Sequence, residues 1–373
     1  MLSFRQTKLL IAAIVLAAGA VAVPGARGAA VARGSGAIPS MKPVRWSAKK
    51  GPVPGALTVT SPALASITFP GAKTADTLLF WAGPRAGAHG YRISDEHAIS
   101  LSRDKWSPPE AAGKAVTTSA PAAAPYLDDV FTKFTTSDVI VTWQAGGGIR
   151  YEIGTGEHGG AVSFGPEFSI PGAHTSASPA ISSPFYAKAV LVTWKAAGSS
   201  AVDFVVGFPG KGTGPVRWGP VGTIRGAAAS SGPAVAEVST GSSTGRIYVL
   251  WRALGRGGRI DYATGADPLS STVRWSAPVG LPPGIRTSAA PVAQAIGPLG
   301  SYPPVAGGYP LLIVYSKPRS SRLLQVTLPR KGPVSVPRLV PFITSPDSPA
   351  LFGSVLAATD PGQVFYTRPC GGC

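Results

Sequence analysis

The sequence predicts an all-β fold: a six-bladed β-propeller of four-stranded antiparallel blades, its ring closed by an N-terminal strand that completes the last blade. Three observations predict it. A small-residue motif returns at a near-constant period, each copy is followed by the same order of segments, and the two ends of the chain show complementary defects. The motif is clearest in "TSASPAIS" (175 to 182), where Pro179-Ala180 has counterparts at Pro62-Ala63, Pro121-Ala122, Pro233-Ala234, Pro291-Val292 and Pro349-Ala350. The steps between them are 59, 58, 54, 58 and 58 residues, and a fixed period of this kind marks a repeat architecture.

Each repeat opens with this small-residue run, the expected first strand. In a propeller the first strands converge on the central channel, where large side chains do not fit and a Pro is tolerated at a strand start. The second strand is an apolar run ending on an aromatic: "TLLFW" to Trp81, "VIVTW" to Trp143, "VLVTW" to Trp194, "IYVLW" to Trp251 and "LLIVY" to Tyr315. The third is opened by Gly or Ser, as in "GIRYEIG" (148 to 154) and "GRIDYATG" (258 to 265). The fourth is an aromatic followed by a Pro turn, at Trp106, Phe164, Trp218 and Trp275. Short runs of β-branched and aromatic residues between Gly, Pro, Ser and Asp read as strands, and four per repeat make a blade.

The last repeat, from "TSPDSPA" (344 to 350), stops before a fourth strand, while "KPVRWSA" (42 to 48) has the fourth-strand pattern and precedes the first repeat. Joining them would pair an otherwise open sheet edge. The expected blades start near residues 58, 117, 175, 229, 287 and 345, and the propeller domain spans 33–369.

Ahead of it, Arg5 and Lys8 precede an apolar run of 15 residues (9 to 23), too short for a span of about 20, and small residues follow. Residues 1–32 therefore read as a secretory signal peptide, and the protein as secreted, with no stable membrane span after cleavage; an uncleaved anchor is the alternative reading of the same segment. Both cysteines, Cys370 and Cys373, stand in the terminal "CGGC". In an exported protein they are expected to be oxidised, as a local disulfide or a covalent link to a partner, since no helix is predicted that would activate a redox thiolate.

The net charge of +17 falls to about +14 when Arg5, Lys8 and Arg27 leave with the signal segment. Such a surface favours polyanionic surroundings: a glycan, an anionic cell-surface polymer or an extracellular protein. The basic residues are spread over the repeats rather than gathered in a stripe, so nucleic acid is not an expected partner, and the chain is expected to be monomeric. All eight Trp residues occupy only two repeat positions, which makes them packing residues first; a sugar site recurring between blades is the functional option they leave open.

The order of small-residue strand, "VxW" strand, "IxY" strand and "W-x-x-P" strand resembles the sialidase-like β-propellers and, less closely, the six- and seven-bladed propeller lectins. The first resemblance implies exo-glycosidase chemistry, the second glycan binding. Sialidases carry an Arg two residues ahead of the first-strand Pro. Here those positions hold Thr60, Ser119, Ala177, Ser231, Ala289 and Asp347. Their Ser-x-Asp-x-Gly-x-x-Trp box is also missing: Asp104 and Asp267 are at the wrong spacing, and the Arg of "YRIS" (91 to 94) belongs to a third strand.

The four histidines, His89, His97, His158 and His174, have no metal-ligand spacing, and Asp128, Asp129 and Asp138 match no calcium cage, so neither metal nor cofactor is expected. The remaining candidates are non-repeated polar residues on the loops joining each fourth strand to the next first strand, around the channel mouth: Glu110, Glu167, His174, Arg225, Arg286 and Asp347, with Lys49 and Lys114 beside them. The expected function is non-catalytic binding of a glycan, surface polymer or protein through these loops. The alternative, a divergent exo-glycosidase, requires Arg225 and Arg286 to converge there with Glu167 or Asp347.

Overall fold

The computed structural model describes residues 44–367 except 49–50, 73–74, 84–90, 101–104, 127–136, 159, 184–188, 211–213, 240–244, 256, 267–271, 296–309, 353–354 and 361–362. The signal region, Lys49, Asp128, Asp129 and the two cysteines lie outside the described residues. Pro43–Cys373 forms one compact unit.

Every described element is a strand. The first blade is β1 (Ala63–Ile67), β2 (Asp76–Gly83), β3 (Tyr91–Ser100), β4 (Lys105–Trp106) and β5 (Glu110–Thr117). The second is β6 (Ala122–Tyr126), β7 (Asp138–Ala145), β8 (Gly148–Gly156), β9 (Val162–Phe164) and β10 (Phe168–His174). The third is β11 (Ala180–Ser182), β12 (Val190–Lys195), β13 (Ala201–Phe208), β14 (Arg217–Trp218) and β15 (Gly222–Ala228). The fourth is β16 (Ala234–Ser239), β17 (Gly245–Arg252), β18 (Ile260–Ala266) and β19 (Val279–Gly280), and the fifth β20 (Val292–Ala295), β21 (Leu311–Ser316), β22 (Arg322–Leu328) and β23 (Arg338–Thr344). The last sheet is β24 (Ala350–Phe352), β25 (Val355–Asp360) and β26 (Gln363–Thr367). All pairings within the sheets are antiparallel, and the first strands β1, β6, β11, β16, β20 and β24 lie successively side by side, with β24 against β1.

This corrects the expected architecture. The structure has five blades, not six: five sheets carry four or five strands, and the last has three. Residues 44–48 do not add a fourth strand to it; they make a single bridge, at Trp46. The edge of β26 is already engaged elsewhere, because Val53 N donates to Val364 O (2.9 Å) and Val364 N to Ala56 O (3.2 Å). Residues 44–48 are held mainly through side chains. Trp46 Nε1 donates to Gln325 Oε1 (2.8 Å), Gln325 Nε2 to Val44 O (2.8 Å), and Thr367 Oγ1 to Ser47 O (2.8 Å).

The five-stranded blades arise because the outer position is split. In the first three blades both a short strand carrying the closing aromatic (β4, β9, β14) and a longer one (β5, β10, β15) pair with the same third strand. Proline after the aromatic stops the first piece, since it removes a ladder donor, and pairing resumes a few residues later.

Second strands are buried on both faces, which accounts for their continuous apolar runs. Val190, Val192 and Trp194 pack towards the second blade while Leu191 packs towards the fourth, and Trp143, Trp194 and Trp251 are fully buried. The closing aromatics lie on glycines of the third strands. A Cβ at Gly207 would stand 2.5 Å from Trp218 Cε3, one at Gly265 3.0 Å from Trp275 Cζ3, and one at Gly154 2.8 Å from Phe164 Cε1.

Candidate functional site: the central channel

The repeated lead-in turns surround a channel cavity of about 420 Å³. Its wall is built from the six Pro-Ala or Pro-Val pairs, and its polar groups come from Ser61, Ser119, Ser178, Ser231, Ser348 and Asp347. Neighbouring turns approach closely enough to explain the small residues. Ala120 N donates to Ser178 Oγ (3.0 Å), and a Cβ at Gly232 would lie 2.5 Å from Ser178 O.

A residue class that sequence reasoning passed over sets the position of these turns. Four residues ahead of the repeated Pro stand the buried Thr58, Thr117, Thr175 and Thr287. Thr175 Oγ1 lies 2.9 Å from both Ala177 O and Lys195 O, the residue after Trp194, sharing its one proton between them, and accepts from Ala177 N (3.1 Å). Thr117 makes the same set with Ser119 and Gln144, and Thr58 with Thr60 and Ala82. Each hydroxyl thus closes its own turn and fastens it to the end of the second strand. In the fourth blade Ala229 occupies the position, and Ser230 Oγ reaches Arg252 O instead (3.1 Å). The signal was present in the sequence as a Thr at constant offset from the anchor.

Of the residues expected at the channel mouth, Asp347 alone lines the cavity; it is exposed, and its backbone oxygen accepts from Ser316 Oγ (2.8 Å). Glu110 and Lys114 lie on β5, His174 ends β10, and Arg225 lies on β15: the segments expected as loops are the second pieces of the split outer strands. Glu167 precedes β10 and pairs with Arg150 (Nη1 to Oε1, 2.7 Å). Arg286 bridges to Arg259 and donates from Nη1 to Gly257 O (3.0 Å). The structure does not bring Arg225 and Arg286 to the channel with Glu167 or Asp347.

No arginine or lysine lines the channel among the described residues, and Asp347 is its one carboxylate. Glycoside hydrolysis usually uses two carboxylates flanking the scissile bond, and the described lining carries one. Its hydroxyls donate and accept alike, the property a polyhydroxylated ligand needs.

One further acid was not foreseen. Glu152 of β8 is buried, at 2% exposure, its Oε2 has no partner among the described residues, and its pKa is raised to about 7, first by burial, then by the charge of Glu167, against a backbone hydrogen bond at Lys114. By strand register it occupies the slot that Val205, Ala263 and Val326 fill in the third to fifth blades.

No family model matches the chain, and no curated protein matches it. Among solved structures it is similar to a lectin of Aleuria aurantia in complex with Fucalpha1-6GlcNAc, at 12% identity and a TM-score of 0.43, covering 84% of this chain and 92% of the lectin. It is likewise similar to the PQQ-bound form of an aldose sugar dehydrogenase from Streptomyces coelicolor, at 12% identity and a TM-score of 0.47, covering 87% and 99%. A beta-1,2-mannobiose phosphorylase from Listeria innocua, with beta-1,2-mannobiose, is similar at 11% identity and a TM-score of 0.40, covering 85% and 91%. At these scores no chemistry passes from them to this chain.

Proposed function

We propose that the chain is an exported, non-catalytic binding protein whose channel mouth takes a neutral, hydroxyl-rich unit of a glycan. The observation that carries this reading is the cavity's polar lining: serine hydroxyls and one carboxylate, with no cationic side chain among the described residues. A neutral sugar offers hydroxyls that both donate to Asp347 and exchange hydrogen bonds with serines, whereas a sialic acid or phosphate would meet a carboxylate with no compensating cation. The cavity's volume lies within the usual range for small-ligand sites, about 300–1,000 Å³. Export rests on Arg5 and Lys8 ahead of the apolar run 9 to 23, and the basic surface would keep the secreted protein near anionic cell-surface polymers.

The test is a glycan and cell-wall polymer array followed by calorimetry with the best neutral binder. Asp347→Ala is expected to lower its affinity by about ten-fold, the scale of one hydrogen bond to a charged group. An array on which only anionic ligands bind, or binding unchanged in Asp347→Ala, overturns the proposal.

A further inference from the structure

A second cavity, of about 630 Å³, opens between the third and fourth blades. At the preceding interface Tyr151 of β8 sits opposite Phe168 of β10, their rings stacked with centroids 5.4 Å apart, and Tyr151 meets Trp218 edge-on at 5.4 Å. The next interface repeats the edge-on pair: Phe204 of β13 meets Trp275 at 5.4 Å and 70°. Opposite Phe204, however, the register places Gly222 of β15. The other outer strands carry Glu110, Val279 and Arg338 at the corresponding place; at Gly222 the Phe204 ring itself takes that space, since a Cβ there would stand 2.6 Å from Phe204 Cζ.

The walls of the resulting cleft have a definite chemistry. Phe204 and Trp275 are apolar; Thr223 and Arg225, both exposed on β15, are polar. Thr223 Oγ1 donates to Asp203 Oδ1 (2.6 Å), which engages that carboxylate and leaves the hydroxyl oxygen free to accept. Arg225 has no hydrogen-bonding or ionic partner among the described residues. A partnerless guanidinium in a cleft with aromatic walls suits a ligand that brings both an apolar ring face and a negative charge.

We propose that this cleft binds an acidic sugar residue of uronic-acid type. Its carboxylate pairs with the Arg225 guanidinium, a ring hydroxyl donates to Thr223 Oγ1, and the C–H face of the ring lies on Trp275. The site is independent of the channel and differs from it in charge: among the described residues the channel lining has a carboxylate and no cation, the cleft lining a cation and no carboxylate.

Calorimetry with methyl glucuronide, methyl glucoside and benzoate on the mature protein tests the assignment. Methyl glucuronide is expected to bind, more weakly as salt is raised. Arg225→Gln should reduce its affinity at least ten-fold and leave the response to methyl glucoside unchanged, while Asp347→Ala should leave glucuronide binding intact. Absence of glucuronide binding, equal binding by Arg225→Gln, loss in Asp347→Ala, or benzoate binding as tightly as the glucuronide each overturns the proposal. Failure of glucoside binding alone bears on the channel and not on this cleft.

Discussion

Gly113 of the first blade covers Glu152 of the second so closely that a methyl group at 113 would overlap the carboxyl group. The contact keeps water off an acid that has no partner for its Oε2. Because the folded-state pKa, about 7, lies above the ordinary 4.5, the folded protein holds this proton more tightly than the unfolded chain does. Stability from this group is therefore present at low pH and is lost as pH rises from about 4.5 through about 7. The loss is on the order of 3 kcal/mol. Comparing melting temperatures at pH 5 and pH 8, Glu152→Gln should gain on the wild type as pH rises; parallel pH profiles for the two proteins would show that the acid is ionised in the fold.

Thr175 joins a channel-lining turn to the strand that carries Trp194. Thr175→Val keeps the shape and removes the hydroxyl, leaving Lys195 O and Ala177 O without that donor. A destabilisation of about 1–3 kcal/mol is expected, with weaker binding in the channel. Chemical denaturation beside ligand titration checks it: a variant as stable as wild type would mean water replaces the hydroxyl at no cost.

Gly207 is where the ring of Trp218 rests. Gly207→Ala should cost about 1–3 kcal/mol by overpacking, and part of that cost should vanish in the double variant with Trp218→Leu, because the two residues share one space. Strict additivity in thermal unfolding would contradict the contact.

Catalysis at the channel is expected to be absent. Incubation with a panel of fluorogenic sialosides should give no turnover above buffer, since the cavity lacks both the arginines and the second carboxylate among its described lining. Turnover that disappears in Asp347→Ala would reinstate a hydrolytic reading.

The repeat was legible because its anchor is a dipeptide at fixed period, and the roles of Trp81, Trp143, Trp194 and Trp251 followed from their recurrence. The number of strands per sheet was not, because the Pro after each closing aromatic looks like the end of pairing when it is only an interruption. That same misreading placed Glu110, His174 and Arg225 on loops at the channel mouth, when the chain there is rejoining the third strand on the outside of the blade. Glu152 and Gly222 were invisible for a different reason: each is exceptional only against its counterparts in other blades, and those counterparts are defined by cross-strand register, which the sequence does not display. Asp347 was found because it stands two residues ahead of the anchor Pro, within the turn that the repeat locates.

Ser47 and Thr367, separated by 320 positions, hydrogen-bond to one another at the outer edge of the last sheet. A tether or label joined ahead of residue 44 and one joined after residue 367 would therefore emerge at a single point on the molecule's perimeter. Immobilised on a sensor surface by either route, the protein would hang in the same orientation. The channel, lined by first strands at the opposite side of each sheet, would stay open to solution in both.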